Sequence, residues 1–165
     1  MASDQDGLRG KAEATGDLLR RFASRLEALI ERPAVEQSGD EETTLAAETL
    51  VGDAYAARAT AVHLDPVAGG HRLRFRIDGK LVTVARLEAS FGLRVINQLR
   101  ALAGLDPIRA TVPTSGSFTL PRDGEDLDVR VTEAPCVTGD KLSLRLLAPS
   151  RLFADIRELG LSEEG

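Results

Sequence analysis

The sequence predicts an α+β domain, a mostly antiparallel sheet of about six strands with helices packed against it and an additional N-terminal helix. Three observations carry that prediction. Several short segments alternate apolar and charged residues with period two, the pattern of a strand with one buried face. Asp-Gly pairs and short polar turns join these segments, so successive strands run antiparallel; a parallel sheet would need long crossovers. Helical spacing appears only between blocks of strands, giving the order helix, three strands, helix, three strands, helix.

The elements follow in chain order. Residues 1–10 are polar and glycine-containing and are expected to be a disordered start. Over 13–32, Leu19, Phe22, Leu26, Leu29 and Ile30 fall on one helical stripe, with Arg20, Arg21, Arg25 and Glu31 off it. Pro33 ends that helix. It either packs on its own domain or faces a partner or a second copy. An acidic linker, 33–42, follows, and its end doubles as a helix start: Ser38 and Glu41 have capping-box spacing, and Asp40, Glu41 and Glu42 complement the helix dipole. The next helix spans 43–58 with Leu45, Ala46, Leu50 and Ala54 inward. Gly52 inside it costs about 1 kcal/mol against alanine, which implies close packing there.

A strand at 59–66 and a Gly69-Gly70 turn lead into a hairpin over 71–84, HRLRFRIDGKLVTV. Leu73, Phe75 and Ile77 alternate with Arg72, Arg74 and Arg76, and Asp78-Gly79 supplies the two-residue turn. The longest helix is expected at 88–105, burying Phe91, Val95, Ile96, Leu99, Leu102 and Ala103, with Arg94, Asn97, Gln98 and Arg100 on the wet side. A loop, 106–116, precedes three strands at 117–120, 127–132 and 141–147. Arg122-Asp123-Gly124 is a turn and 135–140 a longer loop. Leu127, Val129 and Val131, then Leu142, Leu144 and Leu146, form the inward sets. A last helix, 150–159, ends at Gly160.

Composition narrows the functional classes. A chain of 165 residues with 42% hydrophobic and 28% charged residues is an ordinary soluble globular domain. A net charge of −5 argues against a general nucleic-acid or membrane-surface binder, and 4% aromatic residues leave no stacking platform for single strands. Cys136 is the only cysteine, so there is no disulfide framework. His63, His71 and Cys136 have no zinc spacing. No apolar run suits a signal peptide or a membrane span, so a cytoplasmic protein without direct membrane insertion is expected.

The outward face of the predicted sheet carries Arg72, Arg74, Arg76, Arg130 and Arg145. Guanidinium forks on a rigid sheet suit phosphate or carboxylate recognition. A solvated face also needs charges, however, and Asp78, Asp126 and Asp128 are available to pair with them in contacts worth about 0–1 kcal/mol. On the residues alone the solvated reading carries more weight. His63 reads as a strand histidine, Ser115 and Ser117 as loop residues, and Cys136 as a loop thiol. None of them belongs to a nucleophile or acid–base constellation.

The order of motifs resembles the domain that precedes the ATPase core in the secretion and pilus-assembly ATPases of type II secretion and type IV pili. In that family a helix leads into Ala-Ser-Asp-Ile-His-(apolar)-Glu-Pro; here Ala59-Thr60-Ala61-Val62-His63-Leu64-Asp65-Pro66 takes its place. Arg74-Phe75-Arg76-Ile77-Asp78-Gly79 matches the family's Arg-(aromatic)-Arg-(apolar)-Asp-Gly hairpin. Asp106-Pro107-Ile108 after the long helix resembles its Leu-Asp-Ile segment. Val129-Arg130-Val131-Thr132-Glu133-Ala134-Pro135, then Gly139-Asp140-Lys141 and Leu144-Arg145-Leu146-Leu147, are similar to its final strand pair, and Glu158-Leu159-Gly160-Leu161 to its entry into the core. The likeness covers 43–161.

This resemblance implies a PAS-like domain that sits over the nucleotide cleft of an ATPase core, lends it arginines and packs against a neighbouring ring subunit. Arg74, Arg76, Arg130 and Arg145 would then face a nucleotide in trans, and His63, Asp78, Gly79 and Gly139 stand at motif positions. Two departures qualify that picture. Thr60-Ala61 replaces the Ser-Asp of the first motif, and Pro113-Thr114-Ser115-Gly116-Ser117 replaces Pro-Gln-Asp-Gly-Arg. The 165 residues contain no Gly-x-x-x-x-Gly-Lys-(Ser/Thr) phosphate loop, and Gly79-Lys80 is a hairpin turn followed by Leu81. The expectation is therefore a non-catalytic interaction or regulatory module without cofactor or metal. It would dock on a secretion or pilus ATPase core, on ring subunits or on its own copies, and meet ATP only at a shared interface. The alternative is a sensor whose arginine face binds a small nucleotide or another anion.

Overall fold

The computed structural model describes residues 40–106, 108 and 111–151, with 13, 16, 17, 20, 21 and 24, and side chains in the first long helix from residue 46. The six early residues are helical, and Asp17 meets Arg20 at 3.4 Å and Arg21 at 3.5 Å. The predicted stripe of Leu19, Phe22, Leu26, Leu29 and Ile30, the linker through 39, the Leu45 side chain and the last helix beyond Arg151 lie outside the described residues.

The chain runs α1 (Asp40–Ala56), β1 (Ala61–Val67), β2 (Gly70–Ile77), β3 (Lys80–Glu88), α2 (Ala89–Leu102), β4 (Thr114–Arg122), β5 (Glu125–Cys136) and β6 (Gly139–Leu147). All six strands form one antiparallel sheet in the order β3-β2-β1-β6-β5-β4, with β1 at its centre. The fold is α+β, as the alternation predicts. Two of the four tight hairpins turn on Asp-Gly with positive φ at each residue, 49° and 75° at Asp78-Gly79 and 51° and 80° at Asp123-Gly124. Two positive φ values at the centre are what a turn matched to the sheet's twist requires.

One face of the sheet is the core. Leu73, Phe75, Ile77, Leu127, Val129, Val131, Leu142, Leu144 and Leu146 are buried, as expected, with Val62 and Leu64 of the central strand. From α1, Ala46, Ala47, Leu50, Val51 and Ala54 join them, and from α2, Phe91, Val95, Ile96 and Leu99. The alanines of α1 let it lie close to the sheet. Gly52 has a specific reason: the Arg122 guanidinium lies against it, 2.8 Å from where a Cβ would stand, and Arg122 Nη2 donates to Glu48 O at 3.1 Å.

Four expectations need correction. α1, with 17 residues, is longer than α2, with 14: α2 stops before Gly104, where φ is +68°, and the acidic residues before Thr43 are already helical. The loop assigned to 106–116 ends earlier, because Thr114, Ser115 and Gly116 belong to β4. Gly116 permits this by letting the strand backbone approach Ala103 O to where a Cβ would lie 2.1 Å away. Ser115 and Ser117 are accordingly strand residues. The supposed loop at 135–140 is a tight hairpin, since β5 runs to Cys136 and β6 begins at Gly139.

The fourth correction is Arg100, which is 5% exposed and not on a wet face. Its Nη2 donates to Glu133, itself 2% exposed, and to Asp140 Oδ2 at 2.9 Å, while Nη1 reaches Asn97 Oδ1 at 2.9 Å. Burial alone would lower the guanidinium's pKa, but the bonds and charges of Glu133 and Asp140 raise it. These contacts pin α2 to β5 and to the start of β6.

Candidate functional site: the arginine-bearing sheet face

Because side chains alternate along a strand, every second residue faces away from α1 and α2. None of the described elements covers that outer face. The register sorts it into cross-strand rows. Leu81, Arg76, Ala61, Arg145, Arg130 and Ser117 stand in one row across β3, β2, β1, β6, β5 and β4. Thr83, Arg74, His63, Ser143, Thr132 and Ser115 form the next. Beyond it lie Arg86, Arg72 and Asp65.

The structure thus brings all four predicted arginines to one face, and separates them chemically. Arg74 is half-buried and its Nε donates to Asp65 Oδ2 at 2.7 Å. Lys141 approaches the other oxygen, Asp65 Oδ1, at 3.5 Å. Burial would raise the Asp65 pKa, but the Arg74 bond and charge and then Lys141 hold it below the ordinary carboxylate value. Asp65 was not singled out from sequence; its place two residues after His63 in the first motif was the available signal.

Arg76, Arg130 and Arg145 are exposed. Arg76 makes one long contact, Nη1 to Gly79 O at 3.4 Å. Among the described residues no carboxylate bridges any of the three. The proposed pairing with Asp78, Asp126 and Asp128 is not what the structure has: Asp128 accepts from Thr119 Oγ1 at 2.8 Å, toward the β4 edge, and Asp78 sits at the tip of the β2–β3 turn.

His63 lies at the middle of the face, on the central strand. Its Nδ1 is 3.1 Å from Ser143 Oγ, and its Nε2 is buried without a hydrogen-bond partner among the described residues. Burial, then the neighbouring Lys141 charge, lowers its pKa, with Arg74 and Arg76 acting in the same sense and Asp65 against them. The imidazole is neutral at pH 7, and no carboxylate orients it as a base. Gly79 is a turn residue and Gly139 the first residue of β6, and both have positive φ, +75° and +142°. Gly139 also clears Pro66, whose Cβ would be 3.1 Å from an added Cβ, which ties the first motif to the last strand pair. Among the described residues no group of three or more His, Cys, Asp or Glu is arranged to hold a metal ion, and no helix is long and apolar enough to cross a membrane.

Comparison with known proteins adds the biological context. Residues 36–165 match the family model described as type II/IV secretion system protein. The chain is 30% identical over 128 residues to the protein transport protein HofB homolog of Escherichia coli K12, covering 78% of this chain and 28% of that one. It is 32% identical over 116 residues to the type IV pilus assembly ATPase PilB of Myxococcus xanthus, 70% of this chain and 20% of the relative. It is 27% identical over 129 residues to the type II secretion system protein E of Pseudomonas aeruginosa, 78% of this chain and 26% of the relative. The chain therefore spans between 20% and 28% of the length of these relatives.

Proposed function

Because the chain belongs to the type II/IV secretion system protein family, we propose that it is a non-catalytic docking module of a type II secretion or type IV pilus ATPase. Its outer sheet face would lie against an ATPase core and present arginines to the nucleotide held there. One observation carries this reading: Arg76, Arg145 and Arg130 stand in a single cross-strand row that contains no carboxylate. A face that needed only solubility would be expected to intersperse both signs. Guanidinium forks gain most when water is excluded around them, which an isolated open sheet does not do and a closed interface does. The first motif helps by setting the central strand between the two arginine-bearing hairpins.

The chemistry stays with the partner in this reading, since the sequence holds no phosphate-loop motif and the described residues no constellation for general acid–base work. The location that follows is the cytoplasmic side of the secretion machine, reached through partners. Titration of the protein into a cognate ATPase core tests it: affinity is expected to rise at least tenfold when ATP occupies the core, and an affinity indifferent to ATP would contradict it.

A further inference from the structure

We infer that Tyr55, Glu125, Ser150 and Arg151 form a releasable latch that sets the direction in which the chain leaves the sheet after β6. Glu125, the first residue of β5, is the shared point. Its Oε1 accepts from the Tyr55 hydroxyl at 2.7 Å and from Ser150 Oγ at 2.7 Å, and its Oε2 accepts from Ser150 N at 3.1 Å. One carboxylate therefore ties the end of α1 to the residues that follow β6. The bonds from Tyr55 and Ser150 hold Glu125 below the ordinary carboxylate pKa, and the same Glu125 bond raises the Tyr55 phenol. The acceptor stays charged and the donor keeps its proton.

A second arm bypasses Glu125. Arg151 lays its guanidinium over the Tyr55 ring, 4.0 Å from the centroid, and donates through Nη2 to Tyr55 O. That carbonyl also accepts from Arg58 N at 3.0 Å, at the C-terminal end of α1, where a cation complements the helix dipole. Tyr55 thus meets the exit directly with its ring face and carbonyl, and through Glu125 with its hydroxyl.

The small apolar area at the exit separates a latch from a fixed brace. Between Leu147 and Arg151 only Ala148 is buried; Leu147 is 43% exposed, and Pro149 and Ser150 are exposed. Tyr55, Glu125 and Arg151 are each half-buried. Polar contacts reached by water contribute little net stability, whereas the sheet itself rests on a continuous apolar core. A segment held in this way opens locally, at a fraction of the free energy of global unfolding. Closed, the exit lies against α1 and the β4–β5 turn; open, it is tethered only through Ala148 and β6. Because the Tyr55 and Ser150 bonds share Glu125, loss of that carboxylate releases them together.

Amide exchange and limited trypsin digestion of the 165-residue chain test the latch. In the wild type the Ser150 amide is expected to exchange at least about tenfold faster than those of Leu64 and Val129, at a rate unchanged by low urea, the mark of local opening. Trypsin cleaves after Arg151 only when that side chain leaves Tyr55. Glu125→Ala is expected to speed this cleavage about tenfold while the melting temperature stays within about 3 °C of the wild type. Tyr55→Phe and Ser150→Ala each remove one contact and are expected to fall between. Adding Ser150→Ala to Glu125→Ala should speed cleavage no further, because both act at one point. Asp126→Ala removes the neighbouring carboxylate and is expected to match the wild type. Equal cleavage in every variant, or the same acceleration in Asp126→Ala, overturns the latch. So does a Ser150 amide that exchanges only when the core amides do, which would make these contacts a brace of the whole fold.

Discussion

Arg74 Nε and Asp65 Oδ2 are 2.7 Å apart on neighbouring strands of the outer face, a diagonal contact two residues from the direct Asp65–Arg72 pairing. Lys141 shares the carboxylate, its Nζ 3.5 Å from Asp65 Oδ1. Asp65 is mostly buried by these partners, and its replacement leaves two cations without their anion.

Asp65→Ala is expected to lose about 1.5–3 kcal/mol at pH 7, the range for a hydrogen bond to a charged group. The Asp65 pKa is lowered in the folded state, so its contribution is complete above the unfolded value near 4 and is lost as pH falls through the lowered folded value. Urea melts of wild type and variant should therefore differ at pH 7 and converge in strong acid. A difference independent of pH down to that range would assign the loss to packing.

Phe75 is 0% exposed at the inward face of β2. Phe75→Ala should lower the unfolding free energy by about 3–5 kcal/mol, as truncation of a large core side chain does. A loss under about 1 kcal/mol in a reversible melt would contradict the assigned core face.

The Arg100–Glu133 pair supports a different test. Arg100→Met leaves Glu133 buried without its cation, and a loss of about 3–5 kcal/mol is expected. Adding Glu133→Leu should recover much of it, because the desolvated charge is gone. Two losses that simply add in the double variant would show that the residues act independently.

Much of this fold is legible in the sequence, because two local signals were strong. Asp-Gly turns marked two of the four tight hairpins, and period-two alternation assigned the inward faces of β2, β5 and β6, from Leu73 through Leu146. Arg100 was misread because a helical arginine next to a buried leucine looks solvent-facing; its partners Glu133 and Asp140 are more than 30 positions away and only the tertiary fold reveals them. The Thr114–Gly116 stretch was misread because its proline, glycine and serine chemistry is that of a loop, and contact with Ala103 overrode it. The arginine row was half legible. Arg74 and Arg76 share a face by spacing alone, but bringing Arg130 and Arg145 level with Arg76 depends on β1 lying between β2 and β6, a pairing order no local pattern encodes.

Both histidines are half-buried and have lowered pKa values, His63 through burial and then Lys141, His71 through burial against the opposing influence of Asp140. Acidification below the ordinary histidine value near 6.5 protonates them in the unfolded chain first, so stability is expected to fall as pH drops from 7 toward the lowered folded values. His71→Gln, beside Gly92 of α2, should flatten that slope. Stability that is constant between pH 7 and about 5.5 would contradict the buried, neutral state of both rings.

The docking claim has one direct measurement, calorimetry of the protein and its Arg76→Ala variant against a cognate ATPase core, with and without ATP. The account predicts that ATP tightens the wild-type complex and that the Arg76→Ala penalty is at least tenfold larger with ATP than without it. Equal weakening in both conditions would make the face a passive scaffold. Firm ATP-driven heat from the protein alone would instead make it a self-contained sensor, and either result would contradict the account.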